Sequence, residues 1–179
     1  MQIIVRDAIP GDLPSVLSIY NHAAVNTTAV WTDRSSDLAE RQDWFLARKK
    51  SGWPVLVAKA SQQVIGFGSF GDFRSWPGYR YTVENSVYVD AAFHRQGAAR
   101  ALLKSLIARA VELEKYVMVA GIEAANEASL ALHRSEGFIE AGRIPEVGCK
   151  FGRWLDLIFL SRQLDHRAEP GGQVVEVKT

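Results

Sequence analysis

The residues with the clearest chemical potential lie between positions 74 and 100. Glu84 is the only carboxylate between Asp72 and Asp90. It sits in a run, Tyr81 to Val89, that reads as a long strand. Strand alternation puts Arg80, Thr82, Glu84, Ser86 and Tyr88 on one face. A lone carboxylate on a polar strand face can act as a general base, although an exposed salt-bridge partner would carry the same signature. Downstream, Val87-Tyr88-Val89 leads through His94-Arg95-Gln96-Gly97-Ala98-Ala99-Arg100 into an amphipathic helix. The first N–H groups of a helix have no internal partner, and its dipole is positive there. Small residues at Gly97, Ala98 and Ala99 let a ligand approach that backbone, and Arg95 and Arg100 add charge. Together they form an anion cradle suited to a pyrophosphate. A glycine before a helix can also be only a tight turn. The stretch matches neither G-x-x-x-x-G-K-[ST] nor G-x-G-x-x-G, which argues against a P-loop and a dinucleotide turn.

The surrounding pattern supplies the elements that must hold these groups. Ile3 to Arg6 is β-rich. Asp12 is placed to cap a helix carrying Leu13, Val16, Leu17, Tyr20 and Ala24, and Asp37 to cap a second one carrying Leu38, Trp44, Phe45 and Leu46. Val55 to Ala58 and Val64 to Phe70 read as an antiparallel hairpin across Ser61-Gln62-Gln63. Ala98 to Glu114 is the strongest helix, with Leu102, Leu103, Leu106, Ile107, Ala110 and Leu113 on one stripe. Val117 to Ala120 is a buried-type strand. Ala128 to Glu136 is a short helix ended by Gly137. Phe138 and Ile139 open another strand, and Trp154 to Leu160 make the last. The order β-α-α-β-β-β-α-β-α-β-β predicts an α/β fold around one sheet. A polar tail from Asp165 to residue 179, with Pro170-Gly171-Gly172, is expected to fray.

Composition narrows the function. The chain has 179 residues, 47% hydrophobic, enough for one globular domain but not two catalytic ones. A formal charge of +1 gives no basic excess for nucleic acid and no polybasic run for a membrane surface, so any anion site must be built locally. One cysteine, Cys149, forbids an internal disulfide, and four scattered histidines give no reason to expect a metal. No apolar run approaches the ~20 residues of a membrane span, and the N-terminus lacks the shape of a signal peptide. The expected setting is the cytoplasm.

His94 to Ala99 resembles the acetyl-CoA loop Q/R-x-x-G-x-G/A of the GNAT N-acetyltransferases. Asn126-Glu127-Ala128-Ser129 followed by Gly137-Phe138 resembles that family's second element. Tyr20-Asn21, Asn26 to Ala29 with Trp31, Gly71 to Arg74, Thr82 to Val89 and Lys150 to Asp156 resemble one branch, the phosphinothricin and methionine sulfoximine N-acetyltransferases. The resemblance covers about residues 3–162. It implies a single domain over 1–164 with a central, mixed, mostly antiparallel twisted sheet flanked by helices. It also implies acetyl-CoA as co-substrate, no metal, a homodimer, and acetylation of the α-amine of small glutamate-analogue amino acids.

Carried onto this sequence, the resemblance puts the backbone of Val87, Tyr88 and Val89 along the pantetheine arm. Arg95, Gln96, Gly97, Ala98, Ala99 and Arg100 surround the pyrophosphate, and Asn126, with Ser129, contacts the CoA arm. Asn126 would serve equally as a plain helix cap. Glu84 is the expected base. His133 stands where many relatives have a tyrosine, and is either the acid for the leaving thiolate or a structural histidine. The acceptor is expected against Arg74, Ser75, Trp76, Arg80, Glu84, Asn85, Ser86 and Trp31, with Arg74 or Arg80 pairing its carboxylate. Trp31 and Trp76 fit a core or an interface as well. Another amine acceptor, whether peptide N-terminus, polyamine or aminoglycoside, and a CoA-binding sensor without turnover remain open on sequence grounds.

Overall fold

The computed structural model describes residues 2–173. Its main elements are β1 (Ile3–Asp7), α1 (Leu13–Asn26), α2 (Leu38–Lys50), β2 (Val55–Ala60), β3 (Gln63–Asp72), β4 (Thr82–Val89), α3 (Ala98–Glu112), β5 (Val117–Glu123), α4 (Glu127–Ser135), β6 (Ile139–Lys150) and β7 (Arg153–Gln163). This is the element order expected from the sequence. The strands form one sheet in the order β1-β2-β3-β4-β5-β7-β6. Every neighbouring pair is antiparallel except β4 and β5, which run parallel.

Two apolar clusters sandwich the sheet. Leu13, Val16 and Ile19 of α1 and Phe45 of α2 pack on Val55, Val57, Val64 and Phe67. On the opposite face Leu102, Leu103 and Leu106 of α3 and Leu130 of α4 pack on Leu56, Ala58, Ile65, Val83, Met118, Ala120, Ile158 and Leu160. The alternation along β2 shows how a strand feeds both: Val55 and Val57 face α1 and α2, whereas Leu56 and Ala58 face α3.

Local signals explain most boundaries. Asp37 accepts from Glu40 N–H at 2.8 Å while Glu40 Oε2 accepts from Asp37 N–H at 3.0 Å, a reciprocal capping box that starts α2. Gly137, at φ +82°, follows α4 as expected. Four expectations change. Asp12 does not cap α1 through its side chain, because its carboxylate takes two hydrogen bonds from Arg6 and one from Ile9 N–H. Leu113 falls beyond the end of α3 and is 39% exposed. Arg80 lies outside β4, at the end of the turn Pro77–Tyr79, so it does not share the strand face of Glu84. The start of the tail is docked where fraying was expected from Asp165 on: Asp165 and Arg167 are buried and paired, and Arg167 Nη2 donates to Glu114 O at 2.7 Å, whereas residues 168–173 are exposed. The expectation for 174–179 lies outside the described residues.

Candidate active site at the fork between β4 and β5

The parallel pair at the centre of the sheet is short. Thr82, Val83 and Glu84 register with Val117, Met118 and Val119, and pairing stops there. Strand β4 continues to Val89, still paired to β3 on its other side, and β5 continues to Glu123, still paired to β7. The two strands therefore part at Glu84 and Val119. From Asn85 to Val89 the backbone of β4 has no strand partner on the β5 side, which leaves amide and carbonyl groups for a ligand, apart from Val89 O, which lies 3.1 Å from His94 Nε2.

The fork is braced from the α4 side. Asn85 is buried and its Nδ2 donates to Val119 O at 3.0 Å, across the gap. Its Oδ1 lies 3.2 Å from His133 Nε2, and His133 Nδ1 lies 2.8 Å from Ser129 O. His133 is 4% exposed, and burial pushes its pKa below the ordinary histidine value, against the opposing hydrogen bond to Ser129 O. Both ring nitrogens face oxygen atoms, of which a neutral ring can donate to only one, and the ring links α4 to β4. Asn85, expected against the acceptor, is likewise turned into the core by strand alternation.

Glu84 points to the opposite face, towards α1 and α2. It is partly buried against Gly121. Burial raises its carboxyl above the ordinary range and the Arg74 guanidinium opposes that rise. Beside its register partner Val119 lies a cavity of about 300 Å³ with Phe73 and Phe159 in its wall, together with Gly142, Arg143, Ile144 and Ser161. Arg143 is held by Asp156 at 2.6 Å.

At the end of β4, Asp90 receives Ala92 N–H at 2.9 Å and the chain turns through Arg95 (φ +59°) and Gly97 (φ +92°) into α3. The first bond of that helix runs from Ala101 N–H to Gly97 O, so the N–H groups of Ala98, Ala99 and Arg100 precede it. A Cβ on Gly97 would meet only Ile3 Cδ1, at 4.0 Å, so the turn is open to a ligand. Free N–H groups, positive φ and open space fit a pyrophosphate. Of the expected charges Arg95 is exposed, while Arg100 is drawn away to Ser135 and Glu136. Gln96 donates back to Ala92 O. Asn126 caps α4, accepting from Ser129 N–H at 3.1 Å.

The acceptor residues are only partly gathered. Ser86 shares the face of Glu84. Arg74, Ser75, Trp76 and Arg80 ride on an exposed segment, with Trp76 74% exposed and Arg80 donating to Pro77 O. Trp31 lies over Gly148 of β6 and donates to Thr28 O at 3.0 Å. Lys150, buried, is spent on structure: its Nζ donates to Ala24 O, to Thr27 O at 2.7 Å and to Val30 O at 2.6 Å, where α1 ends. Thr28 in turn donates to Glu123 of β5 at 2.9 Å. The loop after α1 is thus tied to both sides of the site. The contribution of β6 escaped sequence reading because β6 carries two register shifts and Pro145, which erase the two-residue alternation.

A sheet that opens at a carboxylate, with an unpaired strand edge leading to an uncapped helix N-terminus, is an arrangement suited to a long ligand that carries a pyrophosphate. The chain belongs to the acetyltransferase (GNAT) family, whose model matches residues 16–138. It is 49% identical over 166 residues to the L-methionine sulfoximine/L-methionine sulfone acetyltransferase of Salmonella typhimurium, covering 93% of this chain and 97% of that one. It is 35% identical over 163 residues to the phosphinothricin N-acetyltransferase of Alcaligenes faecalis, covering 90% and 81%. The structure of a Salmonella typhimurium acetyltransferase with its cofactor acetyl-CoA superposes with a TM-score of 0.92 at 49% identity, covering 94% of this chain and 97% of that one.

Proposed function

We propose that this enzyme acetylates the α-amine of small glutamate-analogue amino acids, among them methionine sulfoximine, methionine sulfone and phosphinothricin, with acetyl-CoA as donor. One observation carries the reading: the Glu84 carboxylate stands where β4 leaves β5, beside the bare edge that leads to the open turn at Gly97. The names of the relatives support the acceptor class. When bound, acetyl-CoA supplies an electrophilic thioester carbonyl.

The chain's own groups do the rest. The edge from Asn85 to Val89 offers hydrogen bonds to the pantetheine amides, and the N–H groups at Ala98 to Arg100 receive the pyrophosphate. Asn126, at the N-terminus of α4 just after β5, contacts the CoA arm through its amide. Glu84 takes the proton from the acceptor ammonium, directly or through a water. An α-ammonium titrates near 8, so the demand on the base is modest. Arg74 pairs the acceptor carboxylate, and the cavity at Phe73 and Phe159 receives the side chain. Transfer is direct from a ternary complex. An amine attacks a thioester without covalent help, and Cys149 is exposed on the outer hairpin. The proton for the leaving thiolate comes from solvent.

The enzyme works as a cytoplasmic homodimer in detoxification of these analogues. Phe151 and Trp154, the latter 69% exposed at the tip of β6 and β7, supply the apolar contact. A thiol-release screen of methionine sulfoximine, methionine sulfone, phosphinothricin, glutamate and spermine tests the reading. The first three should turn over fastest. Preference for spermine would move the acceptor class to polyamines.

A further inference from the structure

On the α1 and α2 face, a second cavity of about 360 Å³ lies between α2 and the strands β3 and β4, lined in part by Tyr20, Arg41, Trp44, Arg48, Ser86 and Tyr88. Arg41 is only 6% exposed. Its guanidinium lies 3.9 Å from the ring centre of Tyr20 and 4.9 Å from that of Trp44. Among the described residues its Nε is buried without a hydrogen-bond partner, and no carboxylate forms an ion pair with it.

Tyr20 offers the guanidinium a side-chain hydrogen bond, but the other groups at this cavity do not supply the missing charge. Glu40 is already held by Arg34 at 2.8 Å, Ser36 Oγ at 2.9 Å and Asp37 N–H at 3.0 Å. Burial pushes the Tyr88 phenol up to about 12, so it stays neutral. Arg48 adds a second cation, with one N–H on Phe70 O at 3.1 Å. An arginine cannot shed its proton. A buried charge with no counter-ion is costly, and aromatic faces compensate it only in part because the in-plane N–H groups still want oxygen.

We propose that this cavity is an oxyanion-binding site centred on Arg41, and that its ligand is a small carboxylate with a flat or apolar body lying against Tyr20, Trp44 and Tyr88. Ser86 stands two residues from Glu84 on the same strand face, about 6.6 Å along β4. The oxyanion therefore comes from one of two sources. It is the α-carboxylate of an amino-acid acceptor held at Glu84, with Arg41 in place of Arg74 as its partner, which rests on the function proposed above, or it is a separate small carboxylate bound beside it.

The test uses benzoate as probe, titrated into the full-length protein by calorimetry with acetyl-CoA saturating, so that the helix N-terminus at Ala98 is filled. Saturable binding to wild type is expected, at least tenfold weaker in Arg41→Met. Without anion, Arg41→Met should melt no lower than wild type, since it removes an uncompensated charge. Methionine sulfone that displaces benzoate identifies the acceptor's own end as the source. Methionine sulfone that binds together with benzoate identifies a separate ligand. Equal benzoate affinity in Arg41→Met, or no binding to folded wild type, overturns the site. So does a lower melting temperature for Arg41→Met with no anion effect in wild type, which would make Arg41 a packing element. Absence of acetyl transfer to any amino acid would sink the proposed function and leave the benzoate result standing.

Discussion

The Glu84 carboxylate lies directly over the α-carbon of Gly121: a methyl group there would stand 2.9 Å from Glu84 Oε1. Other neighbours of that methyl, Leu157 Cδ1 and Phe159 Cε1, are at an ordinary 3.6 Å. Gly121→Ala should therefore fold normally and displace only the carboxylate, by a few tenths of an ångström. Catalytic groups are sensitive to such shifts, and kcat should fall about tenfold or more. Acetyl-CoA affinity, measured by calorimetry, should not change. A variant with wild-type kcat would show that the position of Glu84 is not catalytically important.

Gly97 turns the chain at φ +92°, a conformation that costs an L-residue about 1–2 kcal/mol. Packing is not the obstacle, since only Ile3 Cδ1 is within 4.0 Å of a Cβ there. Gly97→Val should thus fold with a modest loss of stability. Its branched side chain would sit over the N–H groups of Ala98 and Ala99, and the KM for acetyl-CoA should rise tenfold or more. Unchanged acetyl-CoA binding by the folded variant would place the phosphate site elsewhere.

Lys150 reaches from β6 to three carbonyls at the end of α1, where the helix dipole also favours a cation. Lys150→Met keeps the stem and removes the charge. Hydrogen bonds to a charged group contribute about 1.5–3 kcal/mol each, but water can reach some of these carbonyls, so the net loss should be about 2–4 kcal/mol. For a chain this long that is a fall in Tm of roughly 5–15 °C. The loop after α1 carries Thr28 and Trp31, so acceptor KM should rise more than acetyl-CoA KM. Equal effects on both would make Lys150 a stability residue only.

The sequence was legible where one signal dominates. The apolar stripe of α3, the Asp37 capping box and the glycine before Ala98 could each be read without a fold, because periodicity, capping and φ are local properties. The carboxylate of Glu84 was legible because it stands alone on its strand. What stayed hidden depends on neighbours distant in sequence. Asp12 looks like a cap until Arg6 claims it. Lys150 shows no partner in the sequence until the end of α1 comes within reach, and Arg100 looks free until Glu136 approaches. The bulged course of β6, which brings Gly142, Arg143 and Ile144 to the cavity, has no alternation to betray it. The fork itself is a failure of pairing between two strands, and no single strand's residues encode it.

The pH behaviour of Glu84 can be worked out from its surroundings. Burial raises its pKa and Arg74 lowers it. As a base it must be ionised, so the acid limb of kcat/KM should fall above the ordinary carboxylate range. Arg74→Gln removes the opposing charge, so the limb should move to higher pH, alongside the weaker acceptor binding expected from a lost carboxylate partner. Glu84→Gln removes the limb altogether. It should lower kcat about 10- to 100-fold at neutral pH, and its residual rate should climb towards the ammonium's own pKa. Stability should move the other way. A carboxyl whose folded pKa is raised contributes stability below its unfolded value and loses it as pH rises through the folded value. At pH 7 the ionised Glu84 is therefore a cost, and Glu84→Gln should melt no lower than wild type there, with any advantage vanishing in acid. An acid limb that shifts to lower pH in Arg74→Gln would show that Arg74 does not face Glu84 in the working enzyme.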